Sequence, residues 1–174
     1  MEFERKFKFG NKPPEWEGLE RVEERKITQY YLGRQDCLDL RVRVSNYGPH
    51  DPRLIQYVLT LKSSHTGVAR EEHNIRLDVK EGMRLCNSSM VKSFISKTRT
   101  TWRSPNRNDI KIDVDVFDKD LRIKDPATGE FLEGLIEVEF MDRNSAERFI
   151  PYISMGDEVT SDDRYRNINL AKQI

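Results

Sequence analysis

In several segments of this chain charged residues recur at every second position, and like signs are doubled on one side in segment after segment. In the opening segment Glu2, Glu4, Lys6 and Lys8 fall on one side, with Phe3, Phe7 and Phe9 on the other. Arg41 and Arg43 alternate with Leu40, Val42 and Val44. Asp113 and Asp115 alternate with Ile112, Val114 and Val116, and Glu137 and Glu139 with Ile136, Val138 and Phe140. A period of two belongs to the extended chain, whose side chains point alternately to opposite faces. The pattern predicts strands over 2–9, 26–32, 38–45, 55–63, 71–77, 91–102, 110–117 and 134–141. Turn chemistry separates them at Asn46-Tyr47-Gly48-Pro49, Ser104-Pro105-Asn106 and Asp125-Pro126-Ala127-Thr128-Gly129.

Helical signals are few. Residues 79–89 and 144–149 read as short helices, the second stopping before Pro151. A C-terminal helix is expected over 160–172, because Thr160 and Asp163 have the spacing of a capping box. The expectation is a mainly β, α+β fold in one domain spanning 1–174. Eight antiparallel strands would form a closed barrel or tunnel, with a few peripheral helices.

Composition narrows the function. The 30 basic residues balance 30 acidic ones, so the chain lacks the basic excess that binding to nucleic acid normally needs. Cys37 and Cys86 make no C-x-x-C pair, and His50, His65 and His73 lack the spacing of a zinc site. No apolar run is long enough to span a membrane, and the opening residues carry no apolar signal segment. A cytoplasmic protein with reduced thiols is expected.

Any single charged pair suits the wet face of an ordinary antiparallel sheet. Doubling like charges in strand after strand is different, because like charges on one face repel unless something neutralises them. Lys97 and Arg99 repeat the basic pattern, Lys62 lies opposite Leu59 and Leu61, and Glu72 shares a face with Asn74. On the inside of a closed sheet, the acids would hold divalent cations and the bases a polyanion. Mg²⁺ and Mn²⁺ take carboxylate and phosphate oxygens, and arginine and lysine take phosphate. Hydrolysing a phosphoanhydride in such a site needs charge neutralisation and a placed water, and no protein nucleophile.

In order along the chain, these segments resemble the CYTH, or triphosphate tunnel metalloenzyme, family. Glu2-Phe3-Glu4-Arg5-Lys6 resembles its Glu-x-Glu-x-Lys opening. Ile27-Thr28-Gln29-Tyr30-Tyr31-Leu32 is similar to its Gln-Gly-Tyr-Leu strand, with Tyr30 in place of the glycine. Leu40-Arg41-Val42-Arg43, Leu59-Thr60-Leu61-Lys62, Lys97-Thr98-Arg99, Asp115-Val116-Phe117 and Glu137-Val138-Glu139-Phe140 follow in family order. The stretch from Gly156 through Thr160 to Asn167 completes the match.

The resemblance implies an eight-stranded charged tunnel with helices outside. It implies a catalytic Mg²⁺ or Mn²⁺ on Glu2, Glu4 and Glu139. Lys6, Arg41, Arg43, Lys62, Lys97 and Arg99 would hold a triphosphate, and Glu72, Asp115 and Glu137 would orient water or a second metal. The C-terminal helix would plug one mouth. Asn74 stands where family members often carry an acid, Asp113 is an additional acid beside Asp115, and the loops over 46–54 and 103–109 are long. Arg103 and Arg107 in the second loop are either solvated or rim contacts.

The expected activity is hydrolysis of inorganic tripolyphosphate or a related small-molecule triphosphate. The family also contains nucleoside and RNA 5′-triphosphatases and adenylyl cyclases. A domain that binds polyphosphate without turnover is the reading from another class.

Overall fold

The computed structural model describes residues 2–9, 16, 18–35, 38–48, 51–63, 69–70, 72–104 and 107–174, with the backbone alone for some of them, Glu2 and Arg107 included. Its strands are β1 (Glu2–Lys8), β2 (Glu20–Gln35), β3 (Leu38–Asn46), β4 (Ile55–Ser63), β5 (Ala69–Arg70), β6 (Glu72–Leu77), β7 (Ser93–Ser104), β8 (Arg107–Phe117), β9 (Gly134–Phe140) and β10 (Lys172–Gln173). The helices are α1 (Val79–Cys86), α2 (Arg143–Arg148) and α3 (Asn167–Leu170).

Every strand pair is antiparallel, in the order β5-β1-β9-β8-β7-β2-β3-β4-β6, with β10 added on β7. Among the described residues these pairings form an open ladder, so the closed barrel that was expected is not borne out. β5 pairs only with Glu2 and Phe3 of β1, and β6 pairs with β4 at the opposite end of the order. These two edge strands follow each other in sequence but do not pair. The sheet nevertheless curls, since residues of β1, β3, β4 and β6 face the same cavity.

β2 is much longer than the expected 26–32. Its first half, Glu20–Arg25, is charged on both faces and shows no apolar period, but it pairs with β7 across Arg103 to Arg99. Ladder hydrogen bonds define this part of the strand, and hydropathy does not show them.

The apolar faces lie on the outside of the curl. Phe7, Ile112, Val114, Ile136, Val138 and Phe140 form a core with Trp16, Ala146 and Met155, beneath α2. Val42, Leu32 and Val91 pack with Leu59, Leu77 and Leu85 beneath α1. Asp78 caps α1 by accepting from the Glu81 amide at 2.9 Å, and Asp142 caps α2 through the Ser145 amide at 2.9 Å.

The C-terminal helix expected over 160–172 is absent. A 3-10 turn, Asp163–Tyr165, and the one-turn α3 replace it, and the chain then ends as β10 against Ser93 and Phe94. Thr160 does not cap a helix. Its hydroxyl accepts from the Lys6 amide at 2.9 Å and donates to Glu158 at 2.7 Å. Asp162 caps the 3-10 turn instead, through the Arg164 amide at 3.0 Å. The segment is held by apolar residues that face the sheet. Tyr165, Leu170 and Ala171 pack on Tyr31, Ile95, Phe117 and Leu135, where the inner face turns apolar.

Candidate active site

The concave face of the sheet encloses a cavity of about 280 Å³. Each wall strand contributes by the parity its sequence predicts: Glu4 and Lys6 from β1, Arg41 and Arg43 from β3, Lys62 from β4, and Glu72 and Asn74 from β6. Arg99 comes from β7, and Glu137 and Glu139 from β9. Ligand pockets of this size are usually lined by apolar side chains. This one has eight cationic residues and five carboxylates on its wall, so it is suited to a polyanion accompanied by cations.

Lys97 and Asp115 are placed differently. They pair with each other beneath the wall, with side chains 0% and 1% exposed. Asp115 also accepts from Arg99 Nε at 2.6 Å and Nη2 at 2.7 Å. The additional acid Asp113 accepts from Arg99 Nη1 at 2.7 Å and from the Thr101 hydroxyl at 2.6 Å. Glu137 accepts from Arg99 Nη2. Burial pushes the Arg99 guanidinium down, but Asp115, Glu137 and Asp113 outweigh it and hold the pKa well above the ordinary value. Burial likewise lowers Lys97, with Asp115 opposing.

Lys6 approaches Glu137 at 3.1 Å and Glu4 at 3.4 Å. Glu72 lies 3.1 Å from Lys62 and 3.8 Å from Arg41. Burial raises its pKa, but those two cations dominate and bring it down to about 2. Asn74, at a position where family members often carry an acid, donates to Glu72 Oε1 at 2.9 Å and accepts from the Thr60 hydroxyl at 2.7 Å.

Three arginines leave hydrogen-bonding capacity on the wall. The Nε groups of Arg25, Arg41 and Arg43 are buried and have no partner among the described residues. Burial lowers the pKa of Arg43, and so do Arg41, Arg25 and Arg99 around it. A buried donor without an acceptor costs about 1–3 kcal/mol, so three of them around one cavity mark a place where acceptor oxygens belong.

No family model matches the chain. It is 32% identical over 145 residues to the inorganic triphosphatase of Nitrosomonas europaea, covering 83% of this chain and 82% of that one. The chain belongs to the CYTH, or triphosphate tunnel metalloenzyme, family. The crystal structure of the inorganic triphosphatase NE1496 is similar over 100% of this chain and 96% of its own, at 30% identity and a TM-score of 0.59. A conserved hypothetical protein from Pyrococcus furiosus, 16% identical with a TM-score of 0.55, shares the fold over 84% of this chain and 83% of its own.

Within this CYTH site, Glu4 and Glu139 stand directly opposite each other in the β1–β9 ladder. Like charges in that position repel. Lys6 and Lys111 offset them here, Lys111 at 2.8 Å from Glu139. Among the described residues no three acids, histidines or cysteines converge closely enough to hold a metal by themselves. The pair fits a cation of the Mg²⁺ type, which takes one or two carboxylates and completes its shell with water and phosphate oxygens. The Glu2 side chain lies outside the described residues. So do the side chain of Arg107 and parts of both long loops, while Arg103 is exposed.

The sequence reading missed several wall residues: Arg25, Gln29 and Tyr31 of β2, Asp39 of β3 and Lys111 of β8. Lys111 sits two positions before Asp113, so strand parity alone would have found it. Arg166, Asn167 and Ile168 reach the cavity from the C-terminal segment, and no periodicity announces them.

Proposed function

We propose that this CYTH protein is a divalent-metal-dependent triphosphatase that removes the terminal phosphate of inorganic tripolyphosphate, or of a related triphosphate, inside its charged cavity. The observation that carries this reading is the set of buried Nε groups without a partner among the described residues, on Arg25, Arg41 and Arg43, in a cavity that also holds the opposed pair Glu4 and Glu139. The activity named for the Nitrosomonas europaea relative supports it.

Arg41, Arg43, Lys6 and Lys62 would bind the phosphate oxygens, the arginines through two parallel N–H donors where geometry allows. Glu4 and Glu139, with Glu2, would hold Mg²⁺ or Mn²⁺, which supplies charge neutralisation on the phosphate oxygens. Glu72 and Glu137 would accept hydrogen bonds from water and orient it. Held far below neutral pKa values, they are poor proton acceptors at pH 7. Water oxygen bonds to the terminal phosphorus, the bridging P–O bond breaks, and pyrophosphate leaves with the bridging oxygen while the water protons pass to solvent. Lys97 and Asp115 would act by fixing Arg99.

An inorganic chain is favoured over a nucleotide because Tyr31 is the one aromatic residue among the described wall residues. Its hydroxyl donates to Gln29 at 3.1 Å, and binding a nucleobase normally uses stacking surfaces. We place the enzyme in the cytoplasm. Among the described residues no helix is long and apolar enough to cross a membrane.

The deciding experiment measures phosphate release from tripolyphosphate, ATP and pyrophosphate, each with Mg²⁺, Mn²⁺ or excess chelator. Metal-dependent release from tripolyphosphate well above ATP is expected. A preference for ATP points to a nucleotide or RNA 5′ end, and binding without release on all three leaves a polyphosphate-binding domain.

A further inference from the structure

The cations around the cavity differ in how far the protein already neutralises them. Arg99 donates to three carboxylates, and Lys111 is held between Asp113 at 3.1 Å and Glu139 at 2.8 Å. Arg43 has no ion pair or hydrogen bond among the described residues, and its Nε is buried. Burial opposes its charge, as do its neighbours Arg41, Arg25 and Arg99, and Glu72 offsets only part of this. The unmet positive charge therefore lies at Arg43, away from the internally neutralised Arg99, while Arg25 is paired with Glu23.

Arg25 is oriented by contacts through one nitrogen. Its Nη1 donates to the Tyr47 hydroxyl at 2.8 Å and lies 2.9 Å from Glu23. The guanidinium also stands over the Tyr47 ring, 5.3 Å from its centroid. These contacts fix the plane of the fork and leave its Nε–Nη2 edge without a partner among the described residues, with Nε buried on the cavity wall. That edge carries the two parallel donors that match two oxygens of one phosphate group.

We propose that Arg25 is a substrate-binding residue, which grips one phosphate group of a polyphosphate chain through its Nε–Nη2 edge, beside Arg43, while Tyr47 and Glu23 hold the fork in place. The assignment rests on the triphosphate reading above and adds a contact site that the family-like motifs did not include.

Titration calorimetry of the whole protein with sodium tripolyphosphate, in excess chelator so that turnover is absent, tests it. Removing a charge-assisted pair of hydrogen bonds worth about 1.5–3 kcal/mol weakens binding roughly 10- to 150-fold, which is the expected effect of Arg25→Gln. Arg25→Lys, which keeps the charge but not the fork, recovers part of that loss. Tyr47→Phe, which removes the orienting hydroxyl, weakens binding at least about twofold with little change in melting temperature. Wild-type binding matched within twofold by Arg25→Gln overturns the assignment of Arg25 alone. No wild-type binding overturns the triphosphate reading and this assignment with it. If Arg25→Gln does not fold, Tyr47→Phe decides, and unchanged affinity in that variant overturns the proposal.

Discussion

Lys6 and Glu137 face each other across the β1–β9 ladder, and their charged ends meet at 3.1 Å in the cavity wall. Burial lowers the Lys6 pKa and raises that of Glu137, yet the attraction dominates in both. Lys6, with Glu137 and Glu4 beside it, lies above its ordinary value, and Glu137, with Lys6, Arg99 and Lys97 nearby, lies well below its own. The pair links two groups of the wall, because Glu137 also accepts from Arg99.

Replacing Glu137 by Gln should therefore do more than remove a contact to water. It leaves Lys6 and Arg99 short of a buried counter-charge, and breaking such a pair costs about 3–5 kcal/mol. Urea unfolding of Glu137→Gln should show a loss of that order at pH 7. A loss below about 1 kcal/mol means that the network is solvated and the wall is softer than described.

Glu72 gives a pH prediction. Its folded pKa of about 2 lies below the ordinary carboxylate value of about 4.3. A depressed folded pKa contributes stability that is fully present above the unfolded value and is lost as pH falls through the folded one. Glu72 should stabilise the protein above pH ~4.3 and cease to do so by pH ~2. Lys62→Met should shrink that window. Acid unfolding of the two proteins, compared with Glu72→Gln, checks the sign.

Metal removal separates binding from turnover. Glu4 belongs to the opposed carboxylate pair and is not a major anchor of the wall, so Glu4→Gln should keep the fold and lower the rate of tripolyphosphate hydrolysis by at least ~100-fold. Tripolyphosphate binding in chelator should change little. Wild-type turnover in that variant, or in chelator, removes Glu4 and the metal from the proposed reaction.

The strand faces were legible because period-two alternation is a local property of the chain. Arg41 and Arg43, Glu137 and Glu139, and Lys6 all reach the cavity from positions fixed by parity. Local pattern could not reveal that Lys97 and Asp115 would sink beneath the wall, since that depends on which cation each acid meets across the β7–β8 ladder. Arg25 was hidden by its surroundings. Glu23, Glu24, Arg25 and Lys26 are charged on both faces, so no apolar partner row marks the inward side. The C-terminal error has a similar origin. Thr160 has the chemistry of a cap, but its hydroxyl is engaged by its neighbour Glu158 and by the Lys6 amide, which lies more than a hundred positions away in the chain.

Arg43 gives the last prediction, in which stability and function move in opposite directions. Its Nε is buried, and burial together with Arg41, Arg25 and Arg99 opposes its charge while Glu72 offsets only part of this, so the ligand-free protein holds that charge at a cost. Arg43→Met keeps much of the side-chain volume and removes the charge. The ligand-free variant should gain about 0.5–2 kcal/mol, the usual return on relieving strain at a functional site. For a chain of this size that is a rise of a few degrees in melting temperature. Tripolyphosphate affinity should fall at least about tenfold, because charge-assisted hydrogen bonds are lost. The added stability that tripolyphosphate gives the wild type should fall with it, since that increment follows the ratio of ligand concentration to dissociation constant. Thermal melts of both proteins with and without tripolyphosphate measure all three quantities. A variant that melts lower than wild type without ligand shows that Arg43 is structurally satisfied, and the proposed phosphate grip then loses its central residue.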